Sequence, residues 1–371
     1  MSIWVVLLAA TALSSVLCNV LIPMAWKTAL VDHPCARKQH AAPVPLVGGL
    51  AVYGTMLIMM VALLPLEVDI RLFLVSASFM VLIGALDDRY DIDPGVRFIA
   101  QMLAAAVVVF GADVQIVQLG NLFGTGTVEL GAMAMPFTLL AIVAAMNAYN
   151  MIDGIDGLLG ALAMVAFAGI AALAFMHQQQ LPVMVAAILF GAMIPYQIRN
   201  MGFRLRPIRK IFMGDAGSML VGFVVVWMLV MLTHPERLLE SWFAIQPNVE
   251  AVRPVAVLWL IAVPLMDMFA IMARRVMKGQ SPFRPDREHL HHIFMRAGFT
   301  SRQTLGIITA IACFKLALGL VFEWLQLPEP IVLSIFIAIF VLYLVMLKNI
   351  WRIVSWVRQQ RDIESTDEAT E

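Results

Sequence analysis

LFLVSASFMVLIGALDDRYDID, residues 72–93, decides the fold. Positions 72–86 carry no charge, and the next seven carry Asp87, Asp88, Asp91 and Asp93. An uncharged apolar run of this kind suits a helix crossing the roughly 30 Å hydrocarbon core of a bilayer, where about 20 residues are needed and fewer when neighbours bury a polar end. Carboxylates cannot follow it into hydrocarbon, so they mark where the chain leaves the membrane.

The rest of the chain repeats the pattern. Of its 371 residues 61% are hydrophobic and 13% charged, against about 25% charged in a soluble domain. The mean hydropathy is +0.88. An ordinary soluble domain is excluded. Lys plus Arg and Asp plus Glu balance at 25 each, so the total charge implies no nucleic-acid partner. Cys18 and Cys313 sit in apolar runs and Cys35 in a basic loop, a scatter that gives neither a disulfide framework nor a metal-ligand spacing.

Cutting by length gives eleven spans: 3–22, 46–65, 72–86, 98–112, 136–149, 158–175, 182–198, 218–233, 254–273, 304–322 and 331–348. The first lacks a basic leader and reads as a retained membrane helix. With the N-terminus outside, only Arg71, Arg237 and Arg253 fall on the outer side, and Lys315 lies within a span. All other basic residues then face the cytoplasm, as cytoplasmic loops require. The expectation is an all-α polytopic integral membrane protein of about eleven transmembrane helices, its C-terminus cytoplasmic and its site built from cytoplasmic loops. Residues 1–348 form one transmembrane catalytic domain. The tail 349–371 starts basic and ends acidic, a disordered composition.

The inner loops, 27–45, 87–97, 150–157, 199–217 and 274–303, hold the unusual chemistry. The four carboxylates of 87–93 repel one another unless some are protonated or a cation sits among them. Mg²⁺ is the natural cation, since it takes carboxylate oxygens and shares its other positions with phosphates. A solvated acidic turn is the alternative. Asn147, Asn150, Asp153 and Asp156 recur every third residue, and on an unbroken helix the first and last would face opposite ways. Gly154 and Gly157 permit a break that returns Asp153 and Asp156 toward the earlier carboxylates; a capped glycine turn competes with that reading.

Further on, Gly214, Asp215, Gly217 and Ser218 crowd a helix N-terminus suited to an anion or to an Asp-bound metal beside one, with simple capping by Asp215 or Ser218 as the rival. Arg204, Arg206, Arg209 and Lys210 before it steer an anionic substrate or merely anchor the loop. In 281–292, His289, His291 and His292 stand beside Arg284 and Arg287, a pattern that favours phosphate over zinc because no Cys accompanies it. Arg37, Lys38, His40 and Arg97 add positive charge near the same surface. Asp267, inside a span, needs a protein partner such as Arg274 or Arg275.

Carboxylates, a divalent ion and a ring of bases on one membrane face describe a site for a diphosphate-containing substrate, where catalysis is positioning and charge neutralisation. The rival is a secondary transporter, whose site lies near the bilayer midplane and often between inverted repeats. Here the charges crowd one face and no repeat is visible.

Five stretches in order, 32–49, 87–91, 147–158, 213–218 and 277–303, resemble the polyprenyl-phosphate N-acetylhexosamine-1-phosphate transferases of glycosyltransferase family 4. Ser281-Pro-Phe through His289-Leu-His291-His292 to Met295-Arg-Ala-Gly298 is similar to the N-acetylglucosamine branch. The resemblance implies transfer of N-acetylglucosamine 1-phosphate from UDP-N-acetylglucosamine to undecaprenyl phosphate, with Mg²⁺ or Mn²⁺, in a bacterial inner membrane and at the start of lipid-linked surface glycan synthesis such as O antigen. Another UDP-N-acetylhexosamine stays open as the donor, and so does a homodimer. It further implies that Asp87 and Asp88 are the paired catalytic aspartates, with Asp87 a candidate base, and that Asp153 and Asp156 are the second acidic pair. Asp88, Asn150 and Asp215 become the metal ligands. Arg287, His289, His291 and His292 become the substrate-binding region; to this set charge placement adds Arg37, Lys38 and Arg97, with solvated anchoring as the rival, and the asparagine motif adds Asn147. A phosphate monoester has a second pKa near 6, so the attacking oxygen is largely ionised at neutral pH and a strong base is unnecessary.

Overall fold

The computed structural model describes residues 2–34, 42–202, 209–235, 249–281, 289–349 and 355. Arg37, Lys38, Cys35, Arg204, Arg206, Arg284 and Arg287 therefore lie outside the described residues, as does nearly all of the 349–371 tail.

The described chain is helical apart from one two-residue pair of strands. In order come α1 (Ile3–Thr28), β1 (Val31–Asp32), β2 (Val44–Pro45), α2 (Gly48–Leu63), α3 (Val68–Tyr90), α4 (Pro94–Gly111), α5 (Ala134–Ile152), α6 (Leu158–Met176), α7 (Gln180–Asn200) and α8 (Gly214–Thr233). They are followed by α9 (Pro254–Val257), α10 (Ala262–Met277), α11 (Leu290–Arg296), α12 (Ser301–Trp324) and α13 (Glu329–Lys348). Nine of the described helices are long and apolar enough to cross a membrane. The second span of the sequence reading is a 16-residue helix, α2, that stops where Leu64 is extended before Pro65.

The ninth expected span is not continuous. Pro254 opens α9, and Leu258 to Ile261 turn before α10 begins. Pro264 has no N–H for the carbonyl four residues back, so an unbroken helix could not run through this point. The third and fourth spans are longer than expected. Asp87 and Asp88 occupy the last turn of α3 and Arg97 the first turn of α4, rather than a loop.

Helix α8 is the axis of the bundle. Its 18-residue membrane window is wholly buried, whereas that of α13 is only 11% buried. The exposed face of α13 is apolar, with Ile337, Val341, Leu342 and Val345, as a surface bathed in lipid should be. On α3, Phe73 stacks against Phe223 and Trp227 of α8, with ring centroids 5.5 and 3.9 Å apart.

Toward the N-terminal end of α8 small residues let backbones meet, the packing that lipid-embedded helices favour. A Cβ on Gly84 of α3 would lie 2.3 Å from Ala216 Cα, and one on Gly49 of α2 would lie 2.3 Å from Gly217 Cα. Gly84→Ala should therefore push α3 off α8 and destabilise the protein by about 1–3 kcal/mol. Because Asp87 and Asp88 follow on the same helix, it should also depress activity more than a lipid-facing Leu82→Ala of equal effect on melting. Melting in detergent and turnover of the two variants check this, and equal turnover would disprove it.

The segment before α8 is pinned from two sides. Phe212 pairs with Leu46, its N–H donating to Pro45 O at 2.9 Å, while the N–H groups of Gly48 and Gly49 donate to Phe212 O and Met213 O at 2.8 and 2.9 Å. Those are first-turn donors of α2 that no intrahelical carbonyl can take.

Candidate active site

The acidic motif divides by function once its helices are placed. Asp88 reaches across from α3, its Oδ1 accepting the Asp215 N–H at 2.7 Å and its Oδ2 the Ala216 N–H at 3.3 Å. It thus caps α8 from another helix, where a carboxylate also meets the positive end of the helix dipole. The capping expected of Asp215 or Ser218 is supplied by Asp88 instead. Asp93 is a local device, accepting Gly95 N–H at 2.8 Å to cap α4. Asp91 ends α3 in a left-handed conformation. The acidic-turn alternative therefore describes Asp91 and Asp93 and fails for Asp87 and Asp88.

Asp87 is buried, and both of its oxygens are taken. Oδ1 accepts Ile92 N–H at 2.8 Å and Oδ2 pairs with Arg97 at 2.7 Å. The same guanidinium lies 3.5 Å from Asp215. One lone pair on each Asp87 oxygen is thus engaged, and its geometry is that of an anchor for Arg97.

Asn150 of α5 closes the group. Its Nδ2 donates to Asp215 Oδ1 at 2.6 Å and to Ser218 Oγ at 2.9 Å. Asp88, Asn150 and Asp215, from three helices far apart in sequence, thus meet at the first turn of α8. Among the described residues no three His, Cys, Asp or Glu side chains are grouped as a metal cluster. The oxygens present are two carboxylates, an amide that a half-turn would present, and a hydroxyl. All are hard donors of the kind Mg²⁺ takes, and so few of them leaves positions for phosphate oxygens.

Asn147, one turn earlier, is spent on packing. Its Nδ2 donates to Gln101 Oε1 and Val143 O, both at 2.8 Å. Both of its amide N–H groups are thus engaged within the bundle. Gln101, which sequence reasoning missed, bridges on to Met219 of α8 at 3.2 Å; an uncharged glutamine in an apolar span gave no signal beyond its polarity.

The expected break follows α5. Gly157 takes φ +82°, a left-handed turn open to glycine. Its N–H donates to Asn200 Oδ1, and its carbonyl accepts Gln197 Nε2 at 2.9 Å. Asn200 also donates to Ile211 O at 3.0 Å, tying this turn to the segment before α8. Asp156 pairs with Lys210 at 2.5 Å. The Asp153 side chain has no hydrogen-bond or ion-pair partner among the described residues. Its surface is exposed, yet protein packed around the carboxyl, with Asp215 and Asp156 nearby, pushes it up to about 7.

The described end of the histidine segment packs against this turn. His291 is 1% exposed, and neither ring nitrogen has a hydrogen-bond partner. Burial, with His292 and His289 adding to it, lowers its pKa to about 3, so it is a neutral imidazole rather than a cation. A Cβ on Gly154 would lie 2.0 Å from His291 Nε2, which sets this ring against the Asp153 turn. His289 stacks on His291 at 5.9 Å, and His292 tilts against it at 4.2 Å. Asp267 is bound by His289, Leu290 N–H and Tyr343 rather than by Arg274 or Arg275. In sequence a tyrosine inside an apolar span reads as a lipid-facing aromatic, so Tyr343 went unnoticed.

The described part of the inner-loop chemistry therefore gathers at one end of the bundle. Comparison with known proteins agrees. The family model described as Glycosyl transferase family 4 matches residues 70–233, from the start of α3 to the end of α8. A curated undecaprenyl-phosphate alpha-N-acetylglucosaminyl 1-phosphate transferase of Yersinia pestis is 40% identical over 337 residues, 91% of this chain and 89% of its own. The same-named proteins of Escherichia coli K12 and Pasteurella multocida are 40% and 38% identical, covering 91% of this chain and 88% and 92% of theirs. Likeness at that level along nearly the full length of both partners cannot come from one shared segment, and the chain belongs to glycosyl transferase family 4.

Proposed function

We propose that the chain transfers N-acetylglucosamine 1-phosphate from UDP-N-acetylglucosamine to undecaprenyl phosphate, releasing UMP, at the inner face of a bacterial cytoplasmic membrane. The observation that carries the reading is the meeting of Asp88, Asn150 and Asp215 at the first turn of α8. The names of the bacterial relatives support the two substrates. The bias of basic residues toward one side supports the cytoplasmic placement.

Asp88, Asn150 and Asp215 are the residues that would hold a divalent ion, and Mg²⁺ or Mn²⁺ there supplies neutralisation of the diphosphate charge that builds up during transfer. The chain's own groups do the rest. Asp87 fixes Arg97 beside Asp215, so a guanidinium stands where phosphate oxygens must pass. Lys210, paired with Asp156, stands at the turn that carries Asp153. Asp153 is the carboxylate left without a partner, and it takes any proton the acceptor phosphate still carries. The site lies at the helix ends, where a phosphate can be reached from water while the lipid chain of the acceptor stays in the bilayer.

The test is UMP release from UDP-N-acetylglucosamine by detergent-solubilised protein given undecaprenyl phosphate and Mg²⁺. Release that requires all three is expected. A protein that releases none in their presence, or that prefers UDP-N-acetylgalactosamine in direct competition, overturns the activity or the sugar respectively.

A further inference from the structure

We propose that Asp267 of α10 and Tyr343 of α13 form a positioning pair that sets the histidine stack, and through it the binding of the nucleotide sugar. The proposal rests on the function proposed above and adds residues to its site.

Asp267 is 2% exposed within the bundle, where a lone carboxylate would be costly. Three donors satisfy it. His289 Nδ1 lies 2.9 Å from its Oδ2, while Leu290 N–H and Tyr343 OH approach Oδ1 at 3.0 and 2.7 Å. A carboxylate accepts only, so His289 carries its proton on Nδ1 and keeps Nε2 for another partner. The ring so fixed stacks nearly parallel, at 6°, on His291. His291 in turn lies against Gly154, beside the unpartnered Asp153. Contacts thus run from a hydroxyl on the lipid-facing last helix to the turn bearing the second acidic pair.

The end of that chain of contacts points to a ligand. Both nitrogens of His291 are buried without partners, a deficit that costs stability until something polar fills it. A neutral imidazole next to the acidic turn suits the uncharged hydroxyl, amide or uracil edges of a nucleotide sugar. The same carboxylate-to-histidine arrangement orients imidazoles at metal sites, where losing the outer partner weakens affinity by about 10- to 100-fold. Tyr343 is the part of the pair that can be removed gently, because phenylalanine keeps the ring and deletes one donor.

Purified Tyr343→Phe and Asp267→Asn proteins should be compared with the parent for UDP affinity by calorimetry, for KM toward each substrate, and for melting in detergent. Tyr343→Phe should weaken UDP binding and raise the KM for UDP-N-acetylglucosamine by about 3- to 10-fold, with the undecaprenyl phosphate KM and the melting temperature unchanged. In Asp267→Asn an amide N–H₂ that turns toward Nδ1 reverses the imidazole tautomer, and the same parameters should move by at least about tenfold. Unchanged UDP affinity in a well-folded Tyr343→Phe protein overturns the pair, as does a parallel rise in both KM values. A parent that binds UDP without releasing UMP overturns the transfer reading alone, since the fall in UDP affinity still reports on the pair.

Discussion

Asp215→Asn should lower Mg²⁺-dependent UMP release by on the order of 10²- to 10³-fold and leave the protein folded. The size follows from losing one of the two charged ligands that would hold the ion neutralising the diphosphate. Folding survives because the side chain keeps its shape and an oxygen for Asn150 Nδ2, which now lies 2.6 Å from Oδ1. The cap on α8 is unaffected, since Asp88 provides it through the backbone N–H groups of Asp215 and Ala216. Mg²⁺ titrations should show the half-saturating concentration displaced upward as well as the plateau lowered. A titration that overlays the parent's would remove Asp215 from the metal set, and the metal reading of this helix end with it. Asp93→Asn is the matching control. It alters a carboxylate of the same motif that only caps α4, where asparagine caps about equally well, so parental activity is expected.

That contrast marks the boundary between what the sequence discloses and what it does not. Hydropathy and length place the spans, and five loops rich in carboxylates and bases on one side of them indicate a shared site. The spacing of adjacent carboxylates says nothing of which helix each one faces. Asp87 and Asp88 are neighbours in sequence, yet one holds Arg97 of α4 and the other caps α8. Asn147 and Asn150 lie one turn apart on α5, where a rotation of about 60° separates an amide that packs against Gln101 from one that touches Asp215. Asp267 and Tyr343 stand 76 residues apart, and only the packing of α13 beside α10 brings them within 2.7 Å. Such pairings depend on helix rotation and order in three dimensions, quantities that a periodicity of 3.6 leaves free.

The other large effect concerns stability and lies at the opposite end of the bundle. Arg253, one of three basic residues that break the inside bias, is held by Glu323 of α12. The guanidinium donates to Glu323 Oε2 at 2.8 Å through Nε, and to the carbonyls of Leu327 and Phe322 at 2.6 and 3.1 Å. His177 Nε2 lies 3.0 Å from the other carboxylate oxygen. Glu323 is completely buried, so Glu323→Ala leaves the largely buried Arg253 guanidinium without its carboxylate and His177 with only Glu250, 4.0 Å away. Removing one partner of such a buried group costs about 3–5 kcal/mol. Melting in detergent should fall accordingly, while UMP release per folded molecule should stay near the parent's, because the described residues of the proposed site are at the far end. A double variant, Glu323→Leu with Arg253→Met, should recover much of the loss, since replacing a buried pair by apolar side chains of similar volume is often neutral. Recovery should fall short by about 1–3 kcal/mol, because the carbonyls of Phe322 and Leu327 lose the donors that Arg253 supplied. If Glu323→Ala melted like the parent, the buried network would be a passive by-product of helix packing. The exception that Arg253 makes to the charge bias would then need another cause.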